Sequence, residues 1–159
     1  MHDLGKLAIP SEILDKQDKL TDNEQFVMRS HVYHTYRVLE HFDMLRIAGS
    51  WGALHQERLN GTGYPFGLTS DELPLGARIM AVADVFTALT EDRPYRKGMD
   101  SKNAKAVLQS MVDAGELDNH LVDTVFKHYA KMNELRDSAQ KEAIRNYNAF
   151  QTTLHRLVK

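Results

Sequence analysis

Five side chains from separate stretches carry the chemistry this sequence could perform: His2, Asp3, His31, His55 and Asp84. An adjacent His-Asp pair can ligate one metal ion or bridge two, because a carboxylate has two oxygens. The chain has no cysteine, so thiolate sites and disulfides are excluded. Any metal must then be held by imidazole and carboxylate, a set that suits iron, manganese, nickel or zinc without choosing among them. Taken singly, each histidine is more often a hydrogen-bonded core residue than a ligand. Asp84 alone could equally be salt-bridged to Arg93 or Arg78. The five together point to a metal centre. His34, His41, His120, His128 and His155 read as surface or packing residues.

Two further stretches look built to present groups. The run ALHQERLNGTGYPF from Ala53 to Phe66 gathers His55, Glu57, Arg58 and Asn60 around a helix exit, then turns sharply at Gly63-Tyr64-Pro65. Glycine tolerates positive φ, and proline fixes its own φ while restricting the tyrosine before it. Glu57 is placed to support His55 from behind rather than to ligate. The polar turn from Glu91 to Gly98 carries three cations, Arg93, Arg96 and Lys97, within reach of the helix that bears Asp84. Alone, such a turn is more often a solvated loop than a phosphate site.

The elements that must position these groups are helical throughout, since few segments alternate in strand fashion. Ser11 is the expected N-cap of a short helix to Asp15. Thr21 and Glu24 form a capping-box pattern that opens a helix to about Phe42, with an inward stripe of Val27, His31, Thr35, Val38 and Phe42. A third helix, about Met44 to Arg58, should bury Ile47, Ala48, Trp51 and Leu54 and point His55 inward. The fourth, about Leu75 to Leu89, is apolar on nearly all sides, so Asp84 needs a cation or a metal beside it. Helices from about Ser101 to Ala114, ended by Gly115, and from about Asp118 to Leu135 complete the bundle. The polar segment 136–159 spaces Ile144, Tyr147, Leu154 and Leu157 roughly helically, as a packed, dimerising or connecting helix would.

At 159 residues the chain suits one domain with a substantial core. A net charge of −2 gives no basic footprint for a nucleic-acid polymer. No apolar run approaches the roughly 18 residues needed to span a bilayer. Met1 to Lys6 lacks the apolar region of a signal peptide, and a soluble cytoplasmic domain without membrane insertion is expected.

HDLGK at 2–6, the run from His55 to Pro65, and AVADVFTALTEDRPYRK at 81–97 together resemble the HD-GYP family, a branch of the HD-domain metal-dependent phosphohydrolases. The likeness extends from His2 to about Phe126 and includes His31. It implies an all-α HD-domain helical bundle at 1–135, with a central metal site and a C-terminal helical extension at 136–159. It also implies two divalent metal ions, iron or manganese ahead of nickel or zinc. His2, Asp3, His31, His55 and Asp84 take the ligand roles, with Asp3 and Lys6 catalytic. Lys6 would orient the phosphate or the bridging water, and Gly63, Tyr64 and Pro65 would contact substrate. Arg93, Arg96 and Lys97 would neutralise its phosphates. The implied reaction opens cyclic di-GMP to linear pGpG, GMP or both, through a metal-bridged hydroxide. A second copy of the chain or an upstream sensor are the implied partners.

Three departures from the family pattern qualify the expected activity. Gln56 stands where the family has a second histidine, and an amide binds transition metals far less well than imidazole. Thr87 stands where many relatives carry an aspartate. The family also places a ligand-bearing helix before the HD pair, and here the sequence starts at that pair. Reduced or absent turnover is therefore expected, and the alternative function is a degenerate domain that binds nucleotide or a partner without hydrolysis.

Overall fold

A computed structural model describes residues 1–92 and 96–157, and the regular elements within them are helical, as expected. A 3-10 helix at Leu4–Ala8 leads to α1 (Ser11–Leu14) and α2 (Asp22–Leu39). A second 3-10 turn at Asp43–Leu45 enters α3 (Arg46–Ala53), and the GYP loop then leads to α4 (Leu75–Thr90). The chain ends with α5 (Ser101–Asp113), α6 (Asn119–Lys127) and α7 (Tyr129–Leu157). Arg93, Pro94 and Tyr95 lie outside the described residues, and with them the expected phosphate contact of Arg93.

Local signals set several helix ends. The Thr21–Glu24 capping box is complete: Thr21 Oγ1 accepts from the Glu24 amide at 3.3 Å, and the Glu24 carboxylate accepts from the Thr21 amide at 2.7 Å. Asp100 caps α5 through the Asn103 amide. Gly115 ends that helix region in the left-handed conformation, with φ of 71°, which glycine adopts at least cost. Asp118 caps α6 and also takes Arg78 at 3.2 Å, so Arg78 is not the partner of Asp84.

Two packing units meet at the site. The larger buries Val82 and Phe86 of α4 with Leu108 of α5, Leu117 and Val122, and Tyr129 and Met132 of α7 pack against it. Burying each such side chain fully is worth about 1.5–3 kcal/mol. In the smaller, the opening 3-10 helix lies across α2. A Cβ on Gly5 would collide with the backbone carbonyl of His31, so only glycine allows this approach. Thr35, one turn beyond His31, accepts from the Gly5 amide at 2.8 Å and donates to the His2 carbonyl at 3.0 Å.

Several expectations are corrected. The buried face of α2 is His31, Val32, Thr35 and Leu39, while Val38 and Phe42 are exposed and the helix stops at Leu39. α3 ends at Ala53 rather than Arg58; Ile47 and Ala48 face outward, while Trp51, exposed on one side, lays its ring over Gly76 of α4. Its inward face is Gly49 and Gly52, whose missing side chains admit Leu39 and the backbone of His2. Ser11 is the first helical residue rather than the N-cap, which falls on Pro10. The helix expected over 118–135 is two helices broken at His128, and α7 then runs unbroken past residue 135. α4 is buried on one side only, leaving Leu75 and Ile79 exposed and Asp84 partly so.

Replacing the clamp residue by its near-isostere, Thr35→Val, leaves the Gly5 amide and the His2 carbonyl without that partner. Urea denaturation should show a loss of about 1–3 kcal/mol. An unchanged midpoint would mean that the clamp does not hold the opening turn.

Candidate metal centre

The clamp delivers Asp3 against the imidazoles of α2 and of the turn after α3. Asp3 Oδ1 lies 3.4 Å from His31 Nε2 and 4.0 Å from His55 Nε2. Asp3 Oδ2 lies 3.5 Å from His2 Nε2 and 2.6 Å from Lys6 Nζ. His2 Nε2 in turn lies 3.6 Å from Asp84 Oδ1. The His2 and His55 rings meet edge to face at 4.8 Å, and His31 is 5.8 Å from His55. All five expected ligands therefore converge on one place.

Hydrogen bonding orients the two buried rings. His31 Nδ1 donates to the Met28 carbonyl, and His55 Nδ1 donates to the Gly52 carbonyl, each at 2.6 Å. Both rings thus carry the proton on Nδ1 and turn an Nε2 lone pair toward Asp3, as a second contact does for metal-ligating histidine. Among the described residues, His31 Nε2 is buried without a hydrogen-bond partner. An unpaired buried acceptor costs about 1–3 kcal/mol, so the site stores a demand that a cation can meet. Donors about 2.1 Å from one ion lie about 3.0–3.4 Å apart, close to the separations around Asp3. One donor atom each from His2, Asp3 and His55 falls within 4.8 Å of the others. The donor set fits a divalent ion.

The electrostatics agree with that fit. Burial drives the His55 pKa below its ordinary 6.5, against the opposing pull of the Gly52 carbonyl and the Asp84 charge. A lowered pKa favours the neutral ring that a metal ligand requires. Burial works against ionisation of Asp3, but the neighbouring His2, His31 and Lys6 side chains outweigh it and hold the carboxyl well below the usual range.

The remaining residues divide. Beside the centre a cavity of about 300 Å³ runs along one face of α4, past Met80, Asp84, Thr87, Ala88 and Glu91. Arg96 donates to the Ala88 carbonyl at 2.5 Å, at the end of that face, and Lys97 is exposed beyond it. Gln56 donates to Asp84 Oδ2 at 3.4 Å, so its amide serves the carboxylate as a donor. Gly63 does not need positive φ; instead its backbone passes so close to Glu57 and Arg58 that no side chain fits. Tyr64 precedes a cis bond to Pro65 and lies under Arg29, whose guanidinium is 5.1 Å from the ring centre. Burial raises the Tyr64 pKa, offset in part by Arg29 and Arg58.

Glu57 is fully buried and accepts from the Phe66 amide at 2.7 Å and the Leu68 amide at 3.0 Å. It staples the GYP loop back to the helix exit. Sequence reasoning missed Thr35 as a clamp, Arg29 as the cover on Tyr64 and Glu91 as a cavity wall. Helical spacing offered two of these, since Thr35 follows His31 by four residues and Glu91 follows Asp84 by seven.

A model of the family described as HD domain matches residues 1–121, and the chain belongs to that family. Its three motifs are those of the HD-GYP branch. The chain is 37% identical over 128 residues to a 3'3'-cGAMP-specific phosphodiesterase of Vibrio cholerae, covering 80% of this chain and 30% of that protein. It is 40% identical over 134 residues to a cyclic di-GMP phosphodiesterase of Pseudomonas aeruginosa, covering 82% and 30%. A cyclic di-GMP phosphodiesterase response regulator of Xanthomonas campestris is 38% identical over 138 residues, covering 85% and 36%. The chain thus spans about a third of the length of these curated relatives. No helix among the described residues is long and apolar enough to cross a membrane.

If the orphaned His31 Nε2 is a ligand, His31→Ala should weaken divalent-metal binding by more than the roughly 10–100-fold that loss of a supporting contact costs. Titration with manganese reads this directly, with His41→Ala as the control that binds normally. In the metal-free chain, a depressed His55 pKa means that the unfolded state binds its proton first. Stability should therefore fall as pH drops below about 6.5, and His55→Gln should flatten that part of the profile. A profile unchanged by the substitution would contradict a buried neutral His55.

Proposed function

We propose that this chain carries the catalytic centre of a phosphodiesterase that opens cyclic di-GMP to linear pGpG, GMP or both. The reading rests above all on the buried His31 Nε2 turned toward Asp3, a demand that hydrogen bonding among the described residues does not meet. The names of the relatives add the substrate class, a cyclic dinucleotide, and the substrate suggests a cytoplasmic setting. Two ions are proposed, iron or manganese ahead of nickel or zinc, in keeping with mixed imidazole and carboxylate donors. His31, His55 and Asp3 Oδ1 would hold one ion; His2, Asp3 Oδ2 and Asp84 would hold the other. Bound there, the ions lower the pKa of water and neutralise phosphoryl charge.

The chain's own residues then have separate tasks. Asp3 faces both ion positions with its two oxygens, and Lys6 orients it and offers a proton-rich ammonium to a phosphate oxygen. Arg96 and Lys97, at the end of the α4 face, would bind the phosphate not being cleaved, with Arg93 assisting. Tyr64 stays a neutral phenol under Arg29 and would donate to the substrate, with the Gly63 and Pro65 backbone shaping its approach. Gln56, occupied with Asp84, leaves the second ion position short of an imidazole. That single contact favours the second reading, a domain that binds nucleotide without turnover.

Hydrolysis of cyclic di-GMP and of 3'3'-cGAMP, followed by chromatography of the products, separates these readings. The wild-type chain loaded with manganese should cleave slowly and lose activity with chelator. Gln56→His should bind a second ion and cleave faster, by about 10-fold or more if that ion shares the charge of the transition state. Cleavage by neither protein, despite two bound ions in the variant, would overturn the enzyme reading and leave the binding one.

A further inference from the structure

Two of the exposed apolar surfaces of the described residues involve α7. The first is a recess of about 390 Å³ between α4, α6 and the start of α7, lined by Ile79, Val82, Leu121, Val125 and Met132, with Arg136 beside them. It shares Ala83 and Thr87 with the cavity beside the metal centre. The second is the distal half of α7, where every side chain from Lys141 to His155 is exposed, including Tyr147, Phe150 and Leu154.

These surfaces are parts of a single stripe. At about 100° per residue, Met132, Leu135, Ala139, Ala143, Tyr147, Phe150 and Leu154 fall within an arc of about 120°. Glu134, Asp137, Lys141 and Arg145 fall on the opposite side, where Asp137 and Lys141 form an ion pair at 2.6 Å. The proximal end of the stripe is seated on the core, and the distal end projects away from it. From Ala143, the recess-lining Met132 lies eleven residues back and Leu154 eleven residues on, by their positions in the sequence. That symmetry is what an antiparallel pair needs, because one two-fold axis then satisfies both uncovered surfaces at once.

We propose that α7 pairs antiparallel with α7 of a second copy of this chain, about a two-fold axis near Ala143. The distal end of each copy then fills the recess of the other. Leu154 of each copy meets the other's Met132, and Phe150 lies against the other's Arg136, a cation over an aromatic face. A parallel coil would cover the distal halves and leave both recesses open. The pairing also reaches the metal cleft. Arg136 donates to Gln140 at 2.9 Å, and Gln140 donates to Glu91, a wall of the cleft, at 2.7 Å. The inference stands independently of the proposed hydrolysis.

The absence of cysteine makes a clean test. Light scattering on the wild-type chain should give a dimer, and the double substitution Phe150→Asp with Leu154→Asp should give a monomer that keeps its helical circular dichroism and its manganese binding. Under oxidation, Ala143→Cys should cross-link to its own copy and Leu154→Cys should not. A monomeric wild type, a dimer in which Ala143→Cys fails to link, or efficient linking at position 154, the sign of parallel pairing, would each overturn the proposal.

Discussion

One close approach carries the site: the opening turn lies on α2 with Gly5 against the His31 carbonyl and Thr35 bonded to the backbone on both sides of Asp3. That contact exists because residue 5 has no side chain and because a hydroxyl can accept and donate at once. It carries His2 and Asp3 onto a helix that already presents His31. Without it, His2 and Asp3 would not be held against the imidazoles of α2 and of the turn after α3.

Around that contact, the site is built from donors that are prevented from satisfying one another. The proton on each Nδ1 is spent on a carbonyl three residues earlier, which leaves His31 and His55 with Nε2 lone pairs, and among the described residues that of His31 is buried with no donor to receive. Asp3 is ionised, and its neighbours orient it without neutralising the buried His31 nitrogen. Such an arrangement costs stability in the metal-free chain and returns it when a cation enters, which couples folding to metal loading. Glu57 plays a different part from its sequence neighbour His55. Its buried carboxylate holds two amides of the GYP loop, so the loop's shape and the imidazole facing Asp3 come from residues two apart with separate partners.

Much of this was legible in the sequence where the signal is local or chemical. The capping box at Thr21 and the glycine stop at Gly115 follow from residue type and spacing, and the gathering of His2, Asp3, His31, His55 and Asp84 at one place follows from their chemistry read together with the family resemblance. The failures came where tertiary packing overrode periodicity. Ile47 has the spacing of a buried stripe yet is exposed, because α3 packs through Gly49 against the Leu39 side chain and through Gly52 against His2, while Trp51 lies over Gly76 of α4. Arg78 was weighed as a partner for Asp84, but it reaches across to Asp118, forty residues away in sequence, which no local pattern reveals. Thr35 as a clamp was hidden for the same reason: its partners lie at the start of the chain.

The central claim is that His2, Asp3, His31, His55 and Asp84 form one metal centre. X-ray absorption spectroscopy of the iron- or manganese-loaded chain tests it without depending on turnover. The account predicts a nitrogen and oxygen coordination shell at about 2.0–2.2 Å with the outer-shell scattering of imidazole rings, reduced in the His31→Ala variant. A loaded metal whose spectrum shows no imidazole, or the same spectrum with and without His31, would contradict it.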